Sequence, residues 1–163
     1  MELLIGRLPR PFVEEDLIAD ELFDEPFLTF SGIDSRWARR RQISLADLID
    51  EPWVLPPYDS IPGMLIAQFF RSRDLQPPRA RLATLSVQLT VSLVSSGQYV
   101  GLLPASVLHF SARRLSLKIL PVKESAERTA AGIITVKGRT LSPLAERFVR
   151  CARDMARSMS GPL

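Results

Sequence analysis

The residues best suited to binding chemistry in this sequence are Tyr58, Asp59 and Ser60. They form a polar loop between the apolar run Pro52–Pro57 and an apolar stretch beginning at Met64. A loop of this kind, between a buried strand and a helix, offers backbone N–H groups, a hydroxyl and an aromatic wall to a small anion. The same residues also suit plain helix capping by Asp59 or Ser60, and spacing leaves the two readings level.

Other reactive types are sparse. His109 is the one histidine, and although Ser106 and Ser111 are near in sequence, no orienting carboxylate accompanies them, so a structural or surface role is the reading. One cysteine, Cys151, excludes an internal disulfide, and one histidine excludes the common His-rich or Cys/His ligand sets. Cys151 reads as a small hydrophobe on a helical stripe. The glycines show neither dinucleotide-binding nor phosphate-loop spacing, and no G-x-S-x-G elbow occurs. Glu14, Glu15, Asp16, Asp20 and Glu21 read as a solvated acidic face. No enzyme, cofactor or metal site is expected.

Lys and Arg number 21 against 18 Asp and Glu, a formal net charge of +3, and eight of the acids precede Pro26. That is a mixed surface, without the basic stripe of a nucleic-acid binder. The densest basic run, Arg36, Arg39, Arg40 and Arg41 around Trp37, reads as a solvated connector. No charged residue lies between Arg81 and Arg113, but only nine of the nineteen residues from Ala83 to Gly101 are apolar, too few for a membrane span. The early apolar run Leu3–Ile5 is too short for a signal peptide, so the chain reads as cytoplasmic.

The elements that position these residues follow from local patterns. Strands are predicted at Glu2–Leu8, Phe27–Phe30, Pro52–Pro57, Ala80–Ala83, Tyr99–Pro104, Leu115–Val122 and Ala131–Val136. Ser44 caps a short helix through Leu45, Leu48 and Ile49, and Asp59 or Ser60 caps a longer one ended by Gln76-Pro77-Pro78. Ser86–Val94 alternates like a strand, but Val87, Val91 and Val94 also share a helical face, Ser86 suits an N-cap and Gly97 a C′ position, so helix is preferred. Ser142 and Pro143 open a final helix with a core stripe of Leu144, Phe148, Cys151 or Ala152, Met155 and Met159. Alternating strands and helices predict an α/β sandwich with a mainly parallel sheet. Its ligand-facing places would be Pro56–Gly63, Thr84–Val87 and Leu103–Ser106, at strand ends and helix starts.

The order and spacing of LLIGRLPRP, LFDEPFLTFSGIDSRWARRRQISLADLIDEPWVLPP, PGMLIAQFF, TLSVQLTVSLVSSGQYVGLLPASVL and ITVKGRTLSPLAERFVRCARDM resemble the C-terminal effector-binding region of LysR-type transcriptional regulators. The resemblance runs from about Leu3 to Met159. It implies a type 2 periplasmic-binding-protein-like α/β fold of two Rossmann-like lobes. Residues 1–34 and 131–163 would form the first lobe and 35–130 the second, with Phe27–Ile33 and Ala131–Val136 as the crossings. Family members carry a winged helix-turn-helix, a linker helix and opening strand-helix units ahead of the position of Met1. This sequence holds none of them, so the first lobe is expected to be incomplete, with DNA reached only through a helix-turn-helix domain absent from this chain.

The resemblance further implies a small-molecule effector, with a carboxylate preferred, bound between the lobes. Arg7, Pro57, Tyr58, Asp59, Ser60, Ser86, Leu103 and Pro104 stand at the matching loops. Missing strands would leave sheet edges open to pairing, so a homodimer is expected, with no membrane partner. A stand-alone small-molecule binding protein on the same fold is the alternative.

Overall fold

The computed structural model describes residues 2–111, 115–124 and 128–159. Contacts divide the chain into two compact units, Met1–Glu25 with Arg128–Leu163, and Pro26–Glu127. In chain order the strands are β1 (Leu3–Leu8), β2 (Leu17–Gly32), β3 (Trp53–Leu55), β4 (Ala80–Ala83), β5 (Val100–Pro104), β6 (Leu117–Ile119) and β7 (Arg128–Val136). The α-helices are α1 (Ile61–Arg71), α2 (Val87–Ser95), α3 (Ala105–Ser111) and α4 (Pro143–Met159).

In the second unit the late part of β2 begins a row that continues through β5 and β3 to β4, and β6 also pairs with β2. β3 is parallel to both β4 and β5, as the helical crossovers α1 and α2 require. β2 runs antiparallel to β5 and β6, and in the first unit β1 runs antiparallel to β7. The sheet is therefore mixed, against the expectation of a mainly parallel one. β2 is not reached by a crossover helix, and it runs against the strands on both its sides.

Helices cover both faces of this sheet. Trp53 and Leu55 of β3, with Val100 and Leu102 of β5, pack with Ile66, Phe69 and Phe70 of α1 and with Ile43, Leu45 and Leu48. Val54 and Leu103 turn the other way, into a cluster with Val91 and Val94 of α2 and Leu108 of α3. That division is the period of two expected of a strand buried on both sides. Trp53 also donates its indole N–H to the Leu48 carbonyl at 2.7 Å and meets Phe70 edge to face at 5.7 Å.

The helix reading of Ser86–Val94 holds. Thr90, Val91 and Val94 are the buried residues of α2, whereas Val87 and Leu89 are exposed. The alternation seen in sequence had counted solvent-facing residues as core. Gly97 ends the helix at φ +80°, where a glycine has no Cβ to strain, and its backbone packs so closely on Gly32 that a Cβ there would lie 2.7 Å from the Gly97 nitrogen.

The Ser44 helix is a single 3-10 turn, Leu45–Leu48, closed by a capping box in which the Asp47 carboxylate accepts the Ser44 N–H at 3.0 Å. Arg36 lies over the Trp37 ring at 5.0 Å and pairs with Glu51, while Arg39, Arg40 and Arg41 are exposed.

In the first unit β7 lies between β1 and the early part of β2. The acidic stretch read as a solvated face enters β2 at Leu17; Glu14, Glu15 and Asp16 are exposed, while Asp20 and Glu21 are paired. Asp20 accepts from Arg153 of α4 at 2.8 Å, and Glu21 and Asp24 accept from Arg10 at 2.6 and 2.9 Å. The Glu2 carboxylate receives the Ser142 N–H and hydroxyl at 3.0 and 2.8 Å, which fixes the start of α4.

The stripe predicted for α4 is corrected. Its buried residues are Ala145, Val149 and Ala156, while Leu144, Phe148 and Met155 are 78%, 46% and 66% exposed and Cys151 is exposed too. The buried side of the helix takes the small residues.

Glu124 supplies a tie across the second unit. Its carboxylate accepts the Ser44 hydroxyl and the Leu45 N–H, each at 2.9 Å. Burial acts to raise its pKa, but hydrogen bonds from the Leu45 N–H, its own N–H and Ser44 outweigh that, and the net value lies below the ordinary 4.5. A lowered folded-state pKa contributes stability above the unfolded value that is lost as pH falls through the folded one. Glu124→Gln is therefore expected to flatten the decline of Tm with pH below 4.5, and thermal melts of both proteins through that range check it.

Candidate effector-binding rim

Three helix starts follow three adjacent parallel strands at their carboxyl ends in the second unit. β3 runs into Pro56–Ser60 and α1, β4 into Thr84–Ser86 and α2, and β5 directly into α3. The Thr84 N–H donates to the Leu55 carbonyl at 3.0 Å, so the ends of β3 and β4 are tied at this rim.

Ser60 is committed to its helix. Its hydroxyl donates to the Pro57 carbonyl at 2.6 Å and accepts the Gly63 N–H at 3.2 Å, and the Met64 N–H goes to the Ser60 carbonyl at 2.8 Å. Pro62 has no N–H, so the first turn of α1 keeps only the Ile61 donor after capping. The capping reading thus accounts for this loop better than an anion cradle does. Tyr58 donates to the Pro78 carbonyl at 2.6 Å, and burial raises its phenol pKa, with Arg71 opposing. Its other surroundings are a groove of about 560 Å³ along α1, shared with Met64, Gln68 and Arg71. The Asp59 side chain is exposed.

The start of α2 is more open. The Ser86 hydroxyl accepts the Leu89 N–H at 3.2 Å, and the Thr84 hydroxyl accepts the Ser86 N–H at 3.0 Å. The cap leaves the Val87 and Gln88 donors of the first turn, flanked by exposed Leu85, Val87 and Leu89. Of the β5 pair, Leu103 is buried in the core and Pro104 is partly exposed. The fold thus brings Pro57, Tyr58, Asp59, Ser60, Ser86, Leu103 and Pro104 into one unit. The side chains of His109 and Ser111 lie outside the described residues.

Arg7 belongs to the first unit. Its guanidinium pairs with Glu25, with side-chain exposures of 16% and 5%, so its charge is already matched by a buried carboxylate. Among the described residues no group of three or more His, Cys, Asp or Glu is gathered to hold a metal, and no helix is long and apolar enough to cross a membrane.

The family model of the LysR substrate binding domain matches residues 1–157. The chain belongs to the LysR substrate-binding family. It is 26% identical over 155 residues to the HTH-type transcriptional regulator GbpR of Azospirillum brasilense, covering 94% of this chain and 45% of that protein. With the transcriptional dual regulator GltC of Bacillus subtilis (strain 168) it shares 28% over 148 residues, covering 89% and 47%. The chain thus spans about half the length of these curated relatives.

Its fold is that of solved LysR effector-binding domains, the type 2 periplasmic-binding-protein-like class. The regulatory domain of CcmR from Synechocystis PCC6803, in complex with 2-PG, superposes with a TM-score of 0.80 at 21% identity, over 97% of this chain and 74% of that one. The effector binding domain of QuiR, in complex with shikimate, gives 0.76 at 19%, over 96% and 72%.

Two structurally important positions, one in each unit, escaped the sequence reading. A Cβ on Gly63 would lie 1.9 Å from the Pro57 carbonyl oxygen, so only glycine lets α1 start against its own loop. The Pro62-Gly63 pair at the helix start was the available signal. Glu25 was missed because nothing local marks a glutamate as the buried partner of Arg7.

Gly63→Ala is expected to cost about 1–3 kcal/mol by forcing that loop away, read from urea unfolding. Arg7→Met removes the guanidinium that faces the buried Glu25 carboxylate and is expected to cost about 3 kcal/mol, part of it recovered in the double variant R7M/E25Q. A double-mutant cycle of unfolding free energies gives the coupling.

Proposed function

We propose that this chain is the effector-sensing module of a LysR-type transcriptional regulator, regulatory rather than enzymatic, working in the cytoplasm on a small organic ligand, with a carboxylate preferred. The observation that carries the reading is the rim of the second unit, where helix starts follow β3, β4 and β5 within a LysR-family domain. The 2-PG and shikimate complexes of two structurally similar domains support a small organic ligand here.

Within the rim, the start of α2 is the favoured anchor for a carboxylate. It presents uncapped N–H groups and the positive end of the helix beside apolar Leu85 and Leu89. Pro57, Tyr58, Asp59, Ser60, Leu103 and Pro104 shape the neighbouring wall. Arg7, in the first unit, is a separate candidate contact for an anion, one whose charge Glu25 already matches. Signalling then follows from population shift, since a ligand moves an equilibrium only by its differential affinity for two arrangements of the chain. The module is also proposed to self-associate, most simply as a dimer, with DNA contact left to a separate domain.

The test is thermal unfolding and calorimetry with a panel of aromatic and aliphatic carboxylates. A binder at about 100 times its Kd adds about 2.7 kcal/mol, or roughly 5–10 °C in Tm. Val87→Asp places a carboxylate at the first position of α2, where it suits the helix but repels an anion, and it is expected to weaken that binder by about tenfold or more. No heat and no shift across the panel, or equal binding by the variant, overturns the carboxylate reading.

A further inference from the structure

We propose that the groove along α1 is a second ligand site, taking a small aromatic carboxylate with its ring against Tyr58 and Met64 and its charge on Arg71. The groove holds about 560 Å³ and is lined by Tyr58, Met64, Ala67, Gln68, Arg71 and Ser72. That volume lies within the range of small-molecule sites. Of the residues assigned to the rim only Tyr58 lines it, so a ligand here lies along the side of α1 and is independent of the anchor at α2.

Local structure builds the groove. Met64, Ala67, Gln68 and Arg71 share one face of the helix, being three, one and three residues apart. Ala67 is buried and offers only a methyl, so the floor stays low, while Met64 and Gln68 stand exposed. Tyr58 forms an aromatic wall, and its hydroxyl, donating to the Pro78 carbonyl at 2.6 Å, holds the ring in place. An aromatic ring and a thioether both make favourable contacts with a second aromatic ring, which selects an aromatic body for the ligand.

Charge selects the other end. Among the described residues that line the groove there is no carboxylate. Among the described residues, too, the Arg71 guanidinium and the Gln68 amide have no hydrogen-bond or ion-pair partner. Their neighbours are spent: the Ser72 hydroxyl donates to the Phe69 carbonyl at 3.1 Å and accepts from Arg73, which itself lies over the Phe69 ring at 4.1 Å. A helical side chain leans toward the helix N-terminus, so Arg71 reaches back over the turn of Ala67 and Gln68. There it acts on the Tyr58 phenol, opposing the rise in pKa that burial causes. A planar guanidinium takes a carboxylate through two parallel N–H bonds, and the Gln68 amide supplies one more donor. The smaller hollow beside α4, lined by Glu146, Arg150 and Arg153, already holds an acid among its cations.

The experiment is a titration of the isotope-labelled chain with benzoate, following backbone amide shifts of residues 64–72 for the groove and residues 85–89 for the rim. Benzoate is expected to shift the groove amides with a Kd on the order of a millimolar. Benzamide, its uncharged counterpart, is expected to bind about tenfold or more weakly, and cyclohexanecarboxylate, which lacks the aromatic ring, about threefold more weakly. Arg71→Gln is expected to weaken benzoate at the groove by about tenfold. Gln68→Trp, filling the groove from an exposed helix position, is expected to abolish the groove shifts. Both variants are expected to keep the circular dichroism of the wild type and to leave any rim shifts as they are. Groove shifts that R71Q leaves unchanged, or that benzamide matches, overturn the site, and equal binding of cyclohexanecarboxylate overturns its aromatic preference. Shifts confined to the rim overturn the groove and leave the effector reading standing. Shifts at neither place overturn the groove alone, because the rim is judged on the wider panel of carboxylates.

Discussion

Three residues, Trp53, Val54 and Leu55, are the constraint on which the second unit depends. They are buried completely and paired in parallel with strands on both sides, so every side chain of β3 is spoken for. Trp53 adds a third tie through its indole N–H to Leu48. A strand held this way cannot slip, because a shift of one residue would send Val54 to the face shaped for Trp53 and Leu55. The position of Pro56–Ser60, and with it the start of α1, is inherited from that register. The close approach of Gly63 to Pro57 then fixes the loop to the helix it opens.

Charge in the first unit is arranged differently from charge at the rim. Arg7, Arg10 and Arg153 are matched by Glu25, by Glu21 with Asp24, and by Asp20. These contacts tie β1, the segment after it and α4 to the early part of β2. The deepest of them, Arg7 with Glu25, specifies more than it stabilises, since the attraction between two buried charges roughly offsets their loss of water. At the rim, by contrast, the open polar groups are backbone donors at the start of α2, which carry partial positive charge without the desolvation cost of an ion.

Much of the fold was legible because the signals are short-range. Ser44, Ser60, Ser86 and Ser142 all sit at helix starts, where a serine hydroxyl can reach a backbone N–H two or three residues on. Pro77 and Pro78 fall just before β4, and Gly97 takes the left-handed conformation its place suggested. The rim was legible as three segments, since a strand end followed by a capped helix is a local pattern. What each segment has to spare was not legible: Ser60 is spent on its cap, Leu103 on the core and Arg7 on Glu25.

The sequence by itself determined where most strands and helices lie and to which family their order belongs, but not the early part of β2 from Leu17 to Pro26 or the helix α3. Those properties rest on contacts within a few residues and on the linear order of apolar runs. Only the tertiary structure decided which part of an apolar arc is buried. Periodicity placed Leu144, Phe148, Cys151 and Met155 on one face of α4, yet the residues that are buried are the smaller Ala145, Val149 and Ala156. It likewise decided that the acids from Asp20 to Glu25 are lateral partners on a strand, since the arginines that answer them stand ten or more residues away in sequence.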